Sequence, residues 1–174
     1  MESRVKLAGH PVHPMLIVLP LGLLSVGVLF DIVYFATNDP TFAEIAFWDI
    51  AAGIVGGLLA AIFGLIDWLA IPRDTRAKRI GLWHGAGNFS IVVVFIVSWI
   101  LRLPQHAYAP DVLPLALGIL AVGAALVTAW LGGELVYRLG VAVDDDAGLN
   151  ASNSLTREGT ARVRGPGGPA GSAG

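Results

Sequence analysis

Histidine is the residue type in this chain best suited to hold a metal ion or a haem iron. His10 and His13 lie in the stretch Gly9-His10-Pro11-Val12-His13-Pro14, and His84 precedes Asn88 by four residues. Imidazole nitrogens ligate first-row metals and haem iron, and an amide at i+4 shares a helix face with its histidine. His10, His13, His84 and Asn88 are therefore candidate cofactor-binding residues. The alternative role for His84 and Asn88 is a hydrogen-bonded pair that holds helices together.

A proline follows both His10 and His13. The residue before a proline is biased away from helix, so we expect extended or polyproline backbone at both histidines. This excludes the pair of ligands on one helix face that a zincin uses.

Two acidic residues could complete a metal site with these histidines. Asp67 and Glu134 lie in apolar segments, where ionisable groups are costly and usually have a partner or a function. One prediction is a divalent metal held by His10, His13 and His84 together with Asp67 or Glu134. In the alternative, Glu134 pairs with Arg138 four residues later and Asp67 reaches the basic loop that starts at Arg73.

Asp31 and Asp49 lie near the opposite ends of their apolar segments. We expect them to cap a helix, to reach toward water or to hydrogen-bond each other, in preference to forming a proton path.

The elements that must position these residues are membrane helices. Hydrophobic residues make up 55% of the 174-residue chain and charged residues 14%, against about 25% charged in a soluble domain. A hydrocarbon core of about 30 Å needs about 20 helical residues. Apolar stretches of that length occupy residues 15–36, 45–71, 82–101 and 113–139. The predicted fold is all-α, an integral membrane four-helix bundle over residues 1–143.

Charge predicts the orientation of this bundle. Of the eleven Lys and Arg residues, ten lie on the side of the termini and of the connection between spans two and three, and only Arg102 lies on the other. The positive-inside rule therefore places both termini in the cytoplasm. Residues 144–174, which begin with three aspartates and end rich in Gly and Pro, are predicted to form a disordered cytoplasmic tail. The net charge of −2 gives no indication of nucleic-acid binding.

Small residues predict how the helices meet. Ala52, Gly56, Ala60 and Gly64 recur every four residues in span two, and span four carries a similar series. Such ridges let backbones approach closely, so we expect spans two and four to form the tight centre of the bundle, either against each other or through one ridge in a dimer. Pro20 is expected to kink span one.

Several motifs resemble a family of four-helix bacterial membrane proteins known as domain of unknown function 2231. The resemblance covers about residues 8–143 and implies a four-span architecture in the bacterial inner membrane without a settled activity. It also implies that some relatives are fused to redox modules, and the spacing of the histidines is similar to that in membrane b-type cytochromes. The matching motifs are Gly9-His10-Pro11-Val12-His13-Pro14-Met15-Leu16, Leu19-Pro20-Leu21-Gly22, Gly64-Leu65-Ile66-Asp67-Trp68, Arg79-Ile80-Gly81-Leu82-Trp83-His84 with Asn88, and Gly132-Gly133-Glu134-Leu135-Val136-Tyr137 with Gly140.

Two classes of function follow. In the first, His84 and either His10 or His13 bind haem b near the cytoplasmic face, and the protein is an electron-transfer subunit or the anchor of a redox partner. The second class is a non-enzymatic scaffold for another membrane subunit, or a small transporter component. No hydrolase, kinase or zincin motif is found, and the lack of cysteine excludes thiolate sites.

Overall fold

The computed structural model describes residues 1–155, and residues 156–174 lie outside the described part of the chain. Helices dominate, and a minimal antiparallel hairpin of two short strands precedes them. The strands are β1 (Lys6–Leu7) and β2 (His10–Pro11). The α-helices are α1 (Val12–Leu16), α2 (Val18–Thr37), α3 (Pro40–Ala70), α4 (Arg76–Ile100) and α5 (Val112–Gly133). A 3-10 helix (His106–Tyr108) precedes α5, and a π-helix (Glu134–Arg138) continues it.

Four helical segments are long and apolar enough to cross a membrane, as predicted, and α1 and α2 together form the first of them. The helices begin before the apolar stretches do, because capped polar turns extend them. Asp39 accepts a hydrogen bond from the Thr41 N–H at the start of α3, and Thr75 accepts one from the Lys78 N–H at the start of α4. The Thr41 N–H also holds the pKa of Asp39 below its usual value.

The bundle consists of two helical hairpins. The first hairpin is α1, α2 and α3, and the second is α4 and α5 with the π-helix. Packing is closest within each hairpin, and the two hairpins meet through α3 against α4 and α2 against α5. The expectation that spans two and four pack against each other is therefore wrong: each packs on its neighbour in sequence, because the short connections make consecutive helices antiparallel neighbours.

Glycines allow this close packing. A Cβ on Gly53 would lie 2.7 Å from the Leu24 side chain, and one on Gly56 would lie 2.8 Å from Leu19 Cβ. In the second hairpin, a Cβ on Gly87 would lie 2.6 Å from Thr128 Cγ2. Gly53 and Gly56 of span two thus face span one rather than span four.

The first span is interrupted at Ile17, three residues before Pro20. Proline lacks the N–H that would bond to the carbonyl four residues earlier, so it breaks the helix on its N-terminal side. This interruption separates α1 from α2, although Ile17 keeps right-handed helical angles and Val12–Thr37 still forms one candidate span, so the kink itself stays a prediction.

An ion pair joins the hairpins at the end of the bundle that carries the connection between α4 and α5. Both guanidinium Nη atoms of Arg102 donate to the Asp31 carboxylate at 2.6 Å, and both side chains are fully buried. Arg102 also donates to Ser98 Oγ, which donates in turn to the Pro114 carbonyl. Asp31 thus pairs with Arg102 and not, as predicted, with Asp49, because two parallel hydrogen bonds from a guanidinium satisfy a buried carboxylate best.

At the opposite end of the bundle the N-terminal segment crosses the helix ends. The terminal ammonium group donates to the Gly140 carbonyl at 2.9 Å. Lys6 pairs with Asp144 and Glu2, and these two carboxylates raise the pKa of Lys6. The tail predicted over 144–174 is described only as far as residue 155, with turns between 144 and 155, so its disorder stays a prediction.

We expect Asp31→Ala to destabilise the protein by about 3–5 kcal/mol, because it leaves the Arg102 guanidinium buried without a counter-charge. Thermal or denaturant unfolding in detergent would measure the loss. The matched control is Glu44→Ala, which removes an exposed acid near the same end. The double variant Asp31→Leu with Arg102→Leu should recover most of the stability. Equal stability of Asp31→Ala and Glu44→Ala would contradict the inter-hairpin role of this ion pair.

Candidate functional site

His13 lies in the first turn of α1 and contacts the neighbouring helix. Its Nδ1 is 2.9 Å from the Ala60 carbonyl oxygen of α3. A carbonyl oxygen can only accept, so Nδ1 carries the proton and donates. The prediction of extended backbone at His13 is wrong, because His13 is helical. Pro14 falls in the first helical turn, where its missing N–H costs no helical hydrogen bond.

His84 repeats this arrangement in the second hairpin. It lies on α4, and its Nδ1 donates to the Thr128 carbonyl oxygen of α5 at 2.8 Å. The carbonyl acceptor fixes the same tautomer, with Nε2 unprotonated. Both rings lie against glycines: a Cβ on Gly64 would be 2.9 Å from His13 Cε1, and a Cβ on Gly132 would be 3.0 Å from His84 Cε1.

The two imidazoles meet where the hairpins face each other. Their ring centroids are 6.4 Å apart, and the ring planes are almost perpendicular at 87°. The structure therefore brings together His13 and His84, one of the two histidine pairs that the sequence left open. Each ring is held by a carbonyl of its own hairpin, so the pair spans the seam between the hairpins.

Asn88 supports His84 rather than adding a further donor to the pair. Its Nδ2 donates to the His84 carbonyl at 2.8 Å, and its Oδ1 accepts from Thr128 Oγ1 at 3.1 Å. Nδ2 also lies 3.4 Å from each ring nitrogen of His84, and an atom equidistant from both is on neither lone-pair axis. Asn88 and Thr128 thus link α4 to α5 beside the imidazole.

His10 and His106 lie apart from this pair, and both are exposed. His10 is in β2, with the extended backbone that its following proline predicts, and its Nδ1 is 3.2 Å from the Ala8 carbonyl. The ring lines a surface cleft together with residues of the segment 144–155. Gly9, which has φ +80°, forms the hairpin turn that turns β2 back along β1.

Asp67 anchors the N-terminal segment. Its carboxylate accepts from Ser3 Oγ and from the Arg4 N–H, each at 2.8 Å. Asp67 therefore accepts hydrogen bonds from the N-terminal segment, and not from the loop starting at Arg73 as expected. Asp67 holds that segment across the end of α3, close to the turn that leads into α1.

Glu134 forms its ion pair between helices. Its Oε1 lies 2.6 Å from Arg76 Nη2, at the start of α4. The prediction that Glu134 pairs with Arg138 is therefore wrong. Glu134 and Arg138 are the first and last residues of the π-helix, whose wider turn changes which residues share a face.

The two acids are thus engaged elsewhere. Within residues 1–155, no three His, Cys, Asp or Glu side chains are grouped so that they could hold a metal ion. What the site offers is one pair of imidazoles, each with its Nδ1 held by a carbonyl oxygen. The two carbonyl acceptors, at Ala60 and Thr128, could not be recognised from the sequence, because every residue has a backbone carbonyl.

We expect ¹⁵N NMR of histidine-labelled protein to show His13 and His84 as the Nδ1–H tautomer, because each Nδ1 faces a carbonyl oxygen. The exposed His10 and His106 should sample both tautomers, and the variants His10→Gln and His106→Gln assign their signals. Nε2–H tautomers at His13 and His84 would contradict the hydrogen bonds to Ala60 and Thr128.

Comparisons with known proteins agree with this architecture. The model of one family, described as "Predicted membrane protein (DUF2231)", matches residues 9–145. No curated protein and no solved structure matches the chain. The matched region runs from the β-hairpin to just beyond the π-helix and includes both His13 and His84. The chain therefore belongs to the DUF2231 family of predicted membrane proteins.

Proposed function

We propose that His13 and His84 are the two axial ligands of a haem b, and that the protein is an electron-transfer subunit or the membrane anchor of a redox partner. The observation that carries this proposal is the pair of facing imidazoles, each with Nδ1 bonded to a helix carbonyl. The same hydrogen bond from the far ring nitrogen orients metal-ligating histidines in many proteins and makes them more basic.

The separation of the rings favours linear ligation. With a metal about 2.0–2.1 Å from each nitrogen, two imidazole centroids lie roughly 6 Å apart in a linear arrangement and roughly 5 Å apart in a tetrahedral one. The separation of 6.4 Å between His13 and His84 fits the linear case.

The number of ligands favours haem over a bare divalent ion. A structural zinc site needs four ligands and a catalytic one three from the protein. Here Asp67 is held by the N-terminal segment and Glu134 by Arg76, while His10 lies on the exposed hairpin. A porphyrin supplies four ligands of its own, so two histidines suffice.

A haem held by His13 and His84 would lie in the seam between the hairpins. His13 is fixed to the first hairpin and His84 to the second, and packing across the seam is less extensive than packing within each hairpin. Gly64 and Gly132 lie against the two rings, and a Cβ on either would come within 3.0 Å of its imidazole, so these glycines make the room that the rings occupy between the helices.

A haem b held by two imidazoles supplies reversible one-electron transfer at its iron. The chain's own residues hold that site in place. Ala60 and Thr128 fix the imidazole tautomers, and Asn88 ties His84 to α5 as a positioning residue. The Asp31–Arg102 ion pair keeps the hairpins together at the opposite end.

The site would lie near the cytoplasmic face of the plasma membrane. Both chain ends and the connection between α3 and α4 share the histidine end of the bundle, and ten of the eleven Lys and Arg residues belong to these segments. The positive-inside rule assigns that end to the cytoplasm.

A visible spectrum of protein purified in mild detergent after haem-supplemented expression tests the function. We expect a Soret band and, on dithionite reduction, the sharp α band of a six-coordinate haem b. His13→Ala and His84→Ala should each abolish that low-spin signature, whereas His10→Ala and His106→Ala, matched in chemistry and exposed, should retain it. A colourless protein, or a spectrum that none of the four variants changes, would contradict the proposal and favour a scaffold or a transporter component.

Cysteine labelling in intact cells tests the orientation. The chain contains no cysteine, so single substitutions report one site each. Gly148→Cys, at the histidine end, should resist a membrane-impermeant maleimide until the cells are opened. Gln105→Cys, in the exposed connection at the other end, should react at once. The reverse pattern would place the histidine pair at the outer face.

A further inference from the structure

A groove runs along the outer face of the second hairpin, between α4 and α5. It has a volume of about 660 Å³, within the range of about 300–1,000 Å³ typical of ligand pockets. Its walls are almost entirely apolar and include Ile91 and Val94 of α4 and Leu117, Leu120 and Val127 of α5. A ligand here must be hydrophobic along most of its length.

Small residues give the groove its depth. Gly87 and Ala121 lie along its floor, and Gly87 is in close contact with Thr128. Ala124 lies in its wall and is itself exposed. The result is a narrow apolar channel parallel to the helices, which suits an extended acyl chain.

The histidine end of the groove is positively charged. Trp83, which lines the groove there, lies one helical turn after Arg79, and the two residues share a helix face. On the other wall, the π-helix that follows Leu131 ends at Arg138. Arg79 and Arg138 are exposed and form no ion pair within residues 1–155.

The ion pair between Arg76 and Glu134 fixes the ends of α4 and α5 at this mouth. Besides this ion pair, the helical turns that continue the two walls of the groove toward the histidine end carry Arg79 and Arg138. A molecule that carries an acyl chain and an anionic phosphate matches both the channel and the charge.

We propose that this groove binds an anionic phospholipid, with one acyl chain between α4 and α5 and the phosphate held by Arg79 and Arg138. The site lies on the lipid-facing side of the second hairpin and does not depend on haem at the histidine pair. The bound lipid would cover the gap between the two helices and hold the second hairpin closed.

Native mass spectrometry of the detergent-solubilised protein, titrated with phosphatidylglycerol or phosphatidylcholine, tests the proposal. We expect phosphatidylglycerol to bind more tightly. Arg79→Gln and Arg138→Gln should each weaken it about fivefold, and both together about 25-fold, with little change for phosphatidylcholine. Arg73→Gln is the matched control, because it removes an exposed positive charge from the connection before α4. An equal loss in Arg73→Gln, or no preference for phosphatidylglycerol, would overturn the proposal.

A second pair of variants tests the acyl channel itself. Ala124→Phe should fill the groove and abolish tight binding of phosphatidylglycerol. Ala129→Phe, at an exposed alanine of α5 outside the groove, should not. Light scattering should give a monomer in every case. If the protein is instead a dimer, and Ala124→Phe dissociates it without changing lipid binding, a second copy of the chain covers the groove. That outcome would also overturn the proposal.

Discussion

A polar atom inside a bundle surrounded by lipid has to find its partner within the bundle, and this constraint determines how the two hairpins are joined. Small residues bring the helices together within each hairpin but provide no polar contact between the hairpins. At one end, Asp31 of α2 and Arg102, just after α4, satisfy each other across the seam in full burial. At the other end, His13 and His84 face each other, each with its Nδ1 satisfied inside its own hairpin.

These two ends of the seam differ chemically. A bidentate ion pair between fully buried groups is costly to break, so it fixes the hairpins relative to each other at that end. His13 and His84 form no such ion pair across the seam, because the carbonyl partners of their imidazoles lie within the hairpins. The hairpins are therefore joined by a buried ion pair at the Asp31–Arg102 end and bring two imidazoles together at the histidine end.

Apolar length made the four spans predictable, because about 20 consecutive apolar residues have no other stable use in a chain of this size. The partners of polar groups were harder to predict. Asp31 and Arg102 are 71 residues apart, and the only indication was that Arg102 is the single cation predicted on its side. Glu134 pairs with Arg76 and not with Arg138 because of the π-helix, and no residue pattern in the sequence predicts a π-helix there. His13 and His84 were recognised as ligand candidates by residue type, but their separation depends on helix packing.

The central claim is that imidazoles from opposite hairpins hold one iron between them, and electron paramagnetic resonance of the oxidised, haem-supplemented protein tests it most directly. A ferric haem held by both imidazoles should give a low-spin signal. Replacing His84 with alanine should convert it to a high-spin signal. A wild-type protein with only a high-spin signal, or with no haem signal at all, would contradict the claim.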